Sequence, residues 1–227
     1  YDGVNPAAWN LGIAATALGD WATARRAWSA YGIELGSGLE PIDEDFGSAP
    51  IRINPDRPSL PLQVTPSLGQ TEVVWSWRRS PAHAVITSVP LPESGHRFRD
   101  VVLHDGEPKG SRRLGDREVS VFDELVRIED SGLPTWQAEV AGADSTALEE
   151  LGDAFGPLGL GLDDWSGMRW MCTECSHGHA GGDHDHTPPA GDHAVLGLAG
   201  DSDRVAATLS EWASRRSVEV VRIDHLW

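Results

Sequence analysis

The C-terminal third of the chain contains the stretch Thr135-Trp-Gln-Ala-Glu-Val140, which predicts a β-strand. A helix is predicted from Asp144 to Phe155, with Asp144 or Ser145 as its N-cap. A second strand is predicted from Gly167 to Cys175. The sequence therefore predicts a strand, a helix and a strand in this order at the start of the last module.

The same alternation of strands and helices continues to the end of the chain. A third strand is predicted at His193–Ala199, a helix from about Ser202 to Arg216, and a final strand at Val218–Ile223. The resulting order βαββαβ over residues 134–227 resembles a ferredoxin-like domain. Because this resemblance rests on element order alone, it implies a fold but no activity.

The N-terminal 33 residues predict two helices. Apolar residues recur three and four positions apart from Ala8 to Leu18, and Pro6 suits a first helical turn. The motif residues are Asn10, Leu11, Gly12, Gly19, Trp21, Ala24 and Trp28, and they resemble one tetratricopeptide repeat. This resemblance leaves two alternatives: a hairpin that packs on the rest of the chain, or part of a peptide-binding repeat array. The chain begins at Tyr1, so we expect that an upstream segment is missing.

Two further segments are predicted between the helices and the last module. Residues 34–70 are rich in proline and glycine without a sustained period, and we expect a surface connector. Residues 71–133 predict a small antiparallel β-module of four or five strands, either a barrel or a sandwich. Its predicted strands are Glu72–Arg79, Ala84–Val89, Asp100–His104 and Arg117–Phe122. The expected fold class is therefore α+β: a helical hairpin, an antiparallel β-module and a ferredoxin-like βαββαβ domain.

The candidate chemistry lies in a histidine-rich segment of the last module. The candidate ligands are Cys172, Cys175, His177, His179, His184, His186 and His193. Two thiolates in a Cys-x-x-Cys turn with nearby imidazoles can hold a tetrahedral ion, so zinc is the first expectation and another transition metal the second. The first four residues are the preferred ligands, and the three others are alternates or a second site. A solvated low-complexity loop and a redox dithiol are the alternatives.

A structural or sensing metal site is favoured over a catalytic one, and the sequence leans away from an enzyme. The segment has local carboxylates at Glu174, Asp183 and Asp185, but no His-Glu-x-x-His motif accompanies them. We therefore expect a metal-binding interaction or adaptor protein. A metal-handling protein that sequesters or delivers zinc, nickel or copper is the first alternative, and a metal-dependent hydrolase is the second.

The charge balance limits the partners. The chain has 227 residues, 18 basic and 35 acidic, and a formal net charge of −17. This balance disfavours nucleic acids and anionic membranes, so a protein partner or larger assembly is expected. Without an apolar run of about 20 residues or a secretion signal, we expect a cytoplasmic protein.

The main basic positions are Arg78, Arg79, Arg97, Arg99, Lys109, Arg112 and Arg113. They predict either ordinary surface ion pairs or a local anion-binding patch.

Overall fold

The computed structural model describes residues 5–56, 71–166 and 193–227. These residues form a mixed α+β structure in which two N-terminal helices precede a closed five-stranded barrel and a four-stranded sheet. The helices are α1 (Pro6–Ala17) and α2 (Trp21–Tyr31). The Asn5 side chain caps α1, the Asp20 carboxylate accepts a hydrogen bond from the Thr23 N–H at the start of α2, and α2 ends at Gly32 in the left-handed conformation.

The two helices pack on each other and on the barrel. Trp28 is fully buried, and its indole lies so close to Gly12 that a Cβ there would come within 2.7 Å. Trp28 belongs to an apolar cluster that includes Ala82 and Leu103, which come from the barrel part of the chain. The hairpin is therefore held against the barrel by aromatic packing.

The barrel contains β1 (Ser48–Ile53), β2 (Glu72–Arg78), β3 (His83–Ile86), β4 (Val101–His104) and β7 (Phe122–Glu129), hydrogen-bonded in that order. Neighbouring strands are antiparallel except for the closure, where β1 and β7 pair in parallel at Ile51↔Phe122 and Arg52↔Asp123. Its apolar core contains Ala49, Ile51, Ile53, Val74, Ala84, Ile86, Val102 and Phe122. A hairpin of β5 (Ser111–Leu114) and β6 (Arg117–Ser120) is inserted between β4 and β7.

Strand β1 lies inside the segment that the sequence predicted as a connector. Its residues Ala49, Ile51 and Ile53 are buried and alternate, but the prolines around them conceal this short pattern. Pro50 is not one of the two residues of β1 that pair with β7. A strand tolerates the missing proline N–H on the side where the residue is unpaired. The strand predicted at Arg117–Phe122 is wrong in extent, because Ser120 ends β6 and Phe122 begins β7.

The second sheet contains β8 (Thr135–Ala141), β9 (Gly161–Asp164), β10 (His193–Ala199) and β11 (Glu219–His225) in the order β11-β8-β10-β9, with every neighbouring pair antiparallel. Helix α3 (Ser145–Phe155) precedes β9, and α4 (Ser202–Arg216) precedes β11. The described second strand is thus at 161–164, whereas the predicted one, Gly167–Cys175, lies outside the described residues.

One face of this sheet carries the helices and the other meets the barrel. On the helical face, Trp212 of α4 is fully buried and donates its indole N–H to the Ala147 carbonyl at 2.8 Å. On the opposite side, Trp165 packs over Gly197, where a Cβ would lie 2.1 Å from the indole, and donates to the Val89 carbonyl at 3.0 Å. Trp165 therefore joins the sheet to the barrel segment before the one-turn helix Pro92–Ser94. Among the described residues, no helix is long and apolar enough to cross a membrane.

Candidate functional site

Most of the predicted metal ligands cannot be placed on this structure. Six of them, Cys172, Cys175, His177, His179, His184 and His186, lie outside the described residues. Their segment joins β9 to β10, two neighbouring antiparallel strands. Within the described part of the chain, no group of three or more His, Cys, Asp or Glu side chains is arranged to hold a metal ion.

His193 is the one predicted ligand in the described residues. It is the first residue of β10, its side chain is about half exposed, and its Nδ1 lies 2.9 Å from Glu139 Oε1 on β8. Because an ionised carboxylate only accepts, Nδ1 carries a proton, and a neutral imidazole held in this way has its lone pair on Nε2. A carboxylate that orients a histidine in this way is a common support for a metal ligand.

The two ends of the histidine-rich segment lie side by side. Ser166 precedes the segment and accepts, through its Oγ, a hydrogen bond from the Val195 N–H at 2.8 Å. Trp165 donates its backbone N–H to the Val195 carbonyl at 2.8 Å. The segment therefore leaves and re-enters the sheet next to His193.

A cleft of about 800 Å³ lies between the barrel and the second sheet, and we call it the barrel–sheet cleft. This volume is typical of small-molecule sites, which often lie between structural units. Its apolar lining includes Trp77, Val85, Phe98, Phe155, Leu160 and Leu162, its glycines are Gly152, Gly156, Gly159 and Gly161, and its charged residues are Arg79, Arg99 and Glu129. The glycine-rich stretch joins α3 to β9.

Arg99 projects from a tight turn at the wall of this cleft. The Asp100 N–H donates to the Arg97 carbonyl at 3.1 Å, and Arg99 has a φ of 68° at the third position of that turn. Glycine is the usual residue in this conformation because a Cβ is strained there. The Arg99 Nη2 would lie 2.8 Å from a Cβ on Gly159, so the side chain crosses the glycine-rich connection.

The buried carboxylate of Asp100 fixes this turn. Asp100 is fully buried and accepts hydrogen bonds from the N–H groups of Arg97 at 2.9 Å and Ser131 at 2.8 Å. It also pairs with the Arg127 guanidinium at 3.1 Å. The Arg99 N–H donates to the Ile86 carbonyl at 2.9 Å. Four hydrogen bonds therefore hold the strained Arg99 backbone in place.

The remaining basic residues do not form one patch. Arg79 pairs with Asp43 at 3.2 Å, and Lys109 pairs with Glu107 at 2.5 Å. Arg97 lies 4.4 Å from the centre of the Trp227 ring, and its Nη1 donates to the Leu133 carbonyl. Arg99 differs from these three residues: within the described residues, no acceptor receives a hydrogen bond from its guanidinium and no carboxylate pairs with it.

The barrel interior contains polar groups that the sequence did not single out. Ser76 Oγ, Arg78 Nε and His104 Nε2 are buried, and each has no hydrogen-bond partner among the described residues. The His104 Nδ1 donates to the Asp105 carbonyl at 2.6 Å, and burial lowers the His104 pKa to about 4. Arg78 lies 5.1 Å from the centre of the Phe122 ring, and burial lowers its pKa. His104 is therefore neutral near pH 7.

The buried Glu72 and the partly buried Asp163 lie where the barrel meets the second sheet. Glu72 Oε2 accepts from the Leu91 N–H at 3.0 Å, while its Oε1 has no partner among the described residues. Burial raises the Glu72 pKa to about 8, and the charge of Asp163 adds to this effect. Burial also raises the Asp163 pKa to about 6, against a hydrogen bond from the Val89 N–H. Both acids hold backbone groups of the segment between β3 and β4.

Comparisons of this chain with protein-family models, curated proteins and solved structures gave no match.

Proposed function

We propose that this chain is a zinc-binding protein-interaction module whose metal site lies in the segment between β9 and β10. Both cysteines of the chain lie in this segment at Cys-x-x-Cys spacing, together with four histidines. The proposed preferred ligands are Cys172, Cys175, His177 and His179, and the alternates are His184, His186 and His193. Another transition metal with the same ligand preferences is the second candidate.

The observation that carries the proposal is the His193–Glu139 pair beside the two ends of the segment. Glu139 Oε1 accepts a hydrogen bond from His193 Nδ1 at 2.9 Å. In the neutral imidazole this leaves Nε2 available to bind a metal ion. Ser166 accepts a hydrogen bond from the N–H of Val195, which lies two residues after His193 in β10. Ligands from the segment would therefore start and end close to an oriented imidazole.

The proposed interaction role is assigned to the N-terminal hairpin and the last module. We propose that α1 and α2 act as a tetratricopeptide-like hairpin, since Trp28 packs over Gly12 and Leu11 and Leu18 of the hairpin stay exposed. We also propose a ferredoxin-like fold for residues 134–227, supported by the antiparallel strand order β11-β8-β10-β9 with helices α3 and α4. Apolar residues on the exposed hairpin surface favour a protein partner.

Elemental analysis of the untagged protein tests the metal site. We expect one zinc per chain, lost together with part of the thermal stability on dialysis against a chelator. Because the chain has two cysteines, thiol titration gives an independent measure: both thiols should become reactive only after chelation. More than one loosely held ion would favour metal handling instead, and metal-dependent hydrolysis of ester substrates would favour the hydrolase.

Metal binding by single and double variants tests which residues are ligands. Cys172→Ser with Cys175→Ser should abolish metal binding. Glu139→Gln should weaken it by about tenfold or more if His193 is a ligand, as loss of a supporting carboxylate usually does. His225→Gln changes an exposed histidine of β11 and is the matched control. Full metal occupancy in the double cysteine variant would exclude the proposed site.

A further inference from the structure

We infer that the barrel–sheet cleft is a binding site for a small organic monoanion with an aromatic or branched apolar body, and that Arg99 binds its acidic group. The site is independent of the proposed metal segment. Its volume of about 800 Å³ is sufficient for such a molecule.

The first argument is that, within the described residues, the Arg99 guanidinium has no hydrogen-bond or ion-pair partner and lies only against the Phe98 ring, 5.5 Å from its centre. The chain has 35 acidic and 18 basic side chains, so carboxylates are abundant partners. Nevertheless, no described carboxylate lies within ion-pair distance of Arg99, while Arg79 in the same cleft is paired with Asp43. A guanidinium provides a planar set of donors that matches a carboxylate in a two-point contact.

The second argument is the cost of placing an arginine at this position. Arg99 adopts φ 68° at the third position of a turn, where glycine would be less strained. The turn is fixed by the fully buried Asp100 and by the Ile86 carbonyl. The fold therefore maintains an unfavourable backbone conformation that holds this side chain over Gly159 at the cleft wall.

The third argument concerns the class of anion. The cleft lining mixes polar and apolar groups, and its exposed or partly exposed apolar side chains, Trp77, Leu133 and Leu162, can contact an aromatic or branched body. The Glu129 carboxylate also lines the cleft, and Arg79 is already neutralised by Asp43. One unpaired positive charge beside one negative charge in a protein of net charge −17 favours a single negative charge on the ligand and disfavours polyphosphates.

A purely structural role for Arg99 is the competing explanation, because its guanidinium lies over Gly159, just beyond the C-terminal end of α3. A cation near a helix C-terminus is stabilising. The two roles predict different results for Arg99→Gly: a structural role predicts lower stability, whereas a binding role predicts unchanged or higher stability together with lost ligand affinity.

The test uses the full chain and a panel of aryl and branched-alkyl carboxylates, each paired with its neutral primary amide; 2-naphthylacetate and 2-naphthylacetamide form one pair. Binding is measured by calorimetry and by NMR shifts of the Trp77 indole N–H, with a Trp77→Phe variant for assignment. At least one carboxylate should bind, and its amide should bind about tenfold or more weakly, as expected for loss of a charge-assisted contact. Arg99→Gly should remove this preference for the carboxylate.

The control is Arg113→Ala, which removes one exposed positive charge from the β5–β6 hairpin and should leave affinity unchanged. Equal affinity of acid and amide, full binding by Arg99→Gly, or no binding of any panel member at millimolar concentration would each overturn the inference. A loss of stability in Arg99→Gly with ligand affinity retained would assign Arg99 to the structural role instead.

Discussion

Replacing Glu72 by Gln should change how the stability of the protein depends on pH. Glu72 is 5% exposed, and burial raises its pKa from 4.5 to about 8. Between these values the folded state holds a proton that the unfolded state has released, so the free energy of unfolding falls as pH rises. The difference between these two pKa values corresponds to as much as about 5 kcal/mol in the free energy of unfolding, at about 1.4 kcal/mol per pKa unit. Above the folded pKa, Glu72 is ionised in both states and its contribution no longer changes.

Glutamine is neutral at every pH and keeps an oxygen that can accept from the Leu91 N–H. The variant should therefore match the natural protein near pH 4.5 and become more stable than it as pH rises to 8. The pKa of Asp163 is raised to about 6, so Asp163 also lowers the free energy of unfolding as pH rises from 3.8 to 6, and it does so in both proteins. The difference between the two proteins thus isolates Glu72.

Urea unfolding followed by tryptophan fluorescence at a series of pH values measures this difference. Glu219→Gln, at the exposed first position of β11, is the matched control and should leave the pH profile unchanged. If the stability curves of Glu72→Gln and the natural protein stay parallel across this range, the carboxyl of Glu72 is not held protonated and the reasoning fails.

Three further variants test local packing by the same unfolding assay. Gly197→Ala should cost about 1–3 kcal/mol, because the new Cβ would lie 2.1 Å from the Trp165 indole; wild-type stability would contradict this packing. Gly152→Ala, whose Cβ would meet its nearest atom at 3.8 Å inside α3, should instead stabilise by about 1 kcal/mol, and a loss would indicate a clash. Asp20→Ala should lower the free energy of unfolding, because it removes the cap on the Thr23 N–H, and an unchanged stability would contradict a stabilising cap.

The parts of the fold that depend on local sequence patterns were predictable. The two N-terminal helices were predicted, although Leu11 and Leu18 of the apolar spacing are exposed. The β-module is a closed barrel, one of the two predicted alternatives. Strand β1 escaped prediction because its two-residue contact with β7 is non-local and its sequence contains Pro50. Barrel closure depends on that long-range contact rather than on any local pattern.

The barrel–sheet cleft could not be predicted for a related reason. Arg99 lies on a turn between β3 and β4, while Gly159 lies between α3 and β9, far along the chain. The sequence identified Arg99 only as one of several basic residues, which left surface ion pairs and an anion-binding patch as alternatives. Most of these residues form ion pairs or stack on aromatic rings, and the positive φ that distinguishes Arg99 has no sequence signal, since arginine rarely adopts it.

Several locally unfavourable features of the fold lie where the barrel meets the second sheet. Arg99 has a strained backbone, and Glu72 and Asp163 are carboxyls whose burial raises their pKa. Elsewhere, the helix caps agree with the structure that forms, while Asn54 and Ser217 also have positive φ and the barrel interior holds buried polar atoms without partners among the described residues. Because sequences depart from local consistency mainly where function requires it, the strained Arg99 backbone at the cleft wall is a reason, separate from cavity size, to look for ligand binding there.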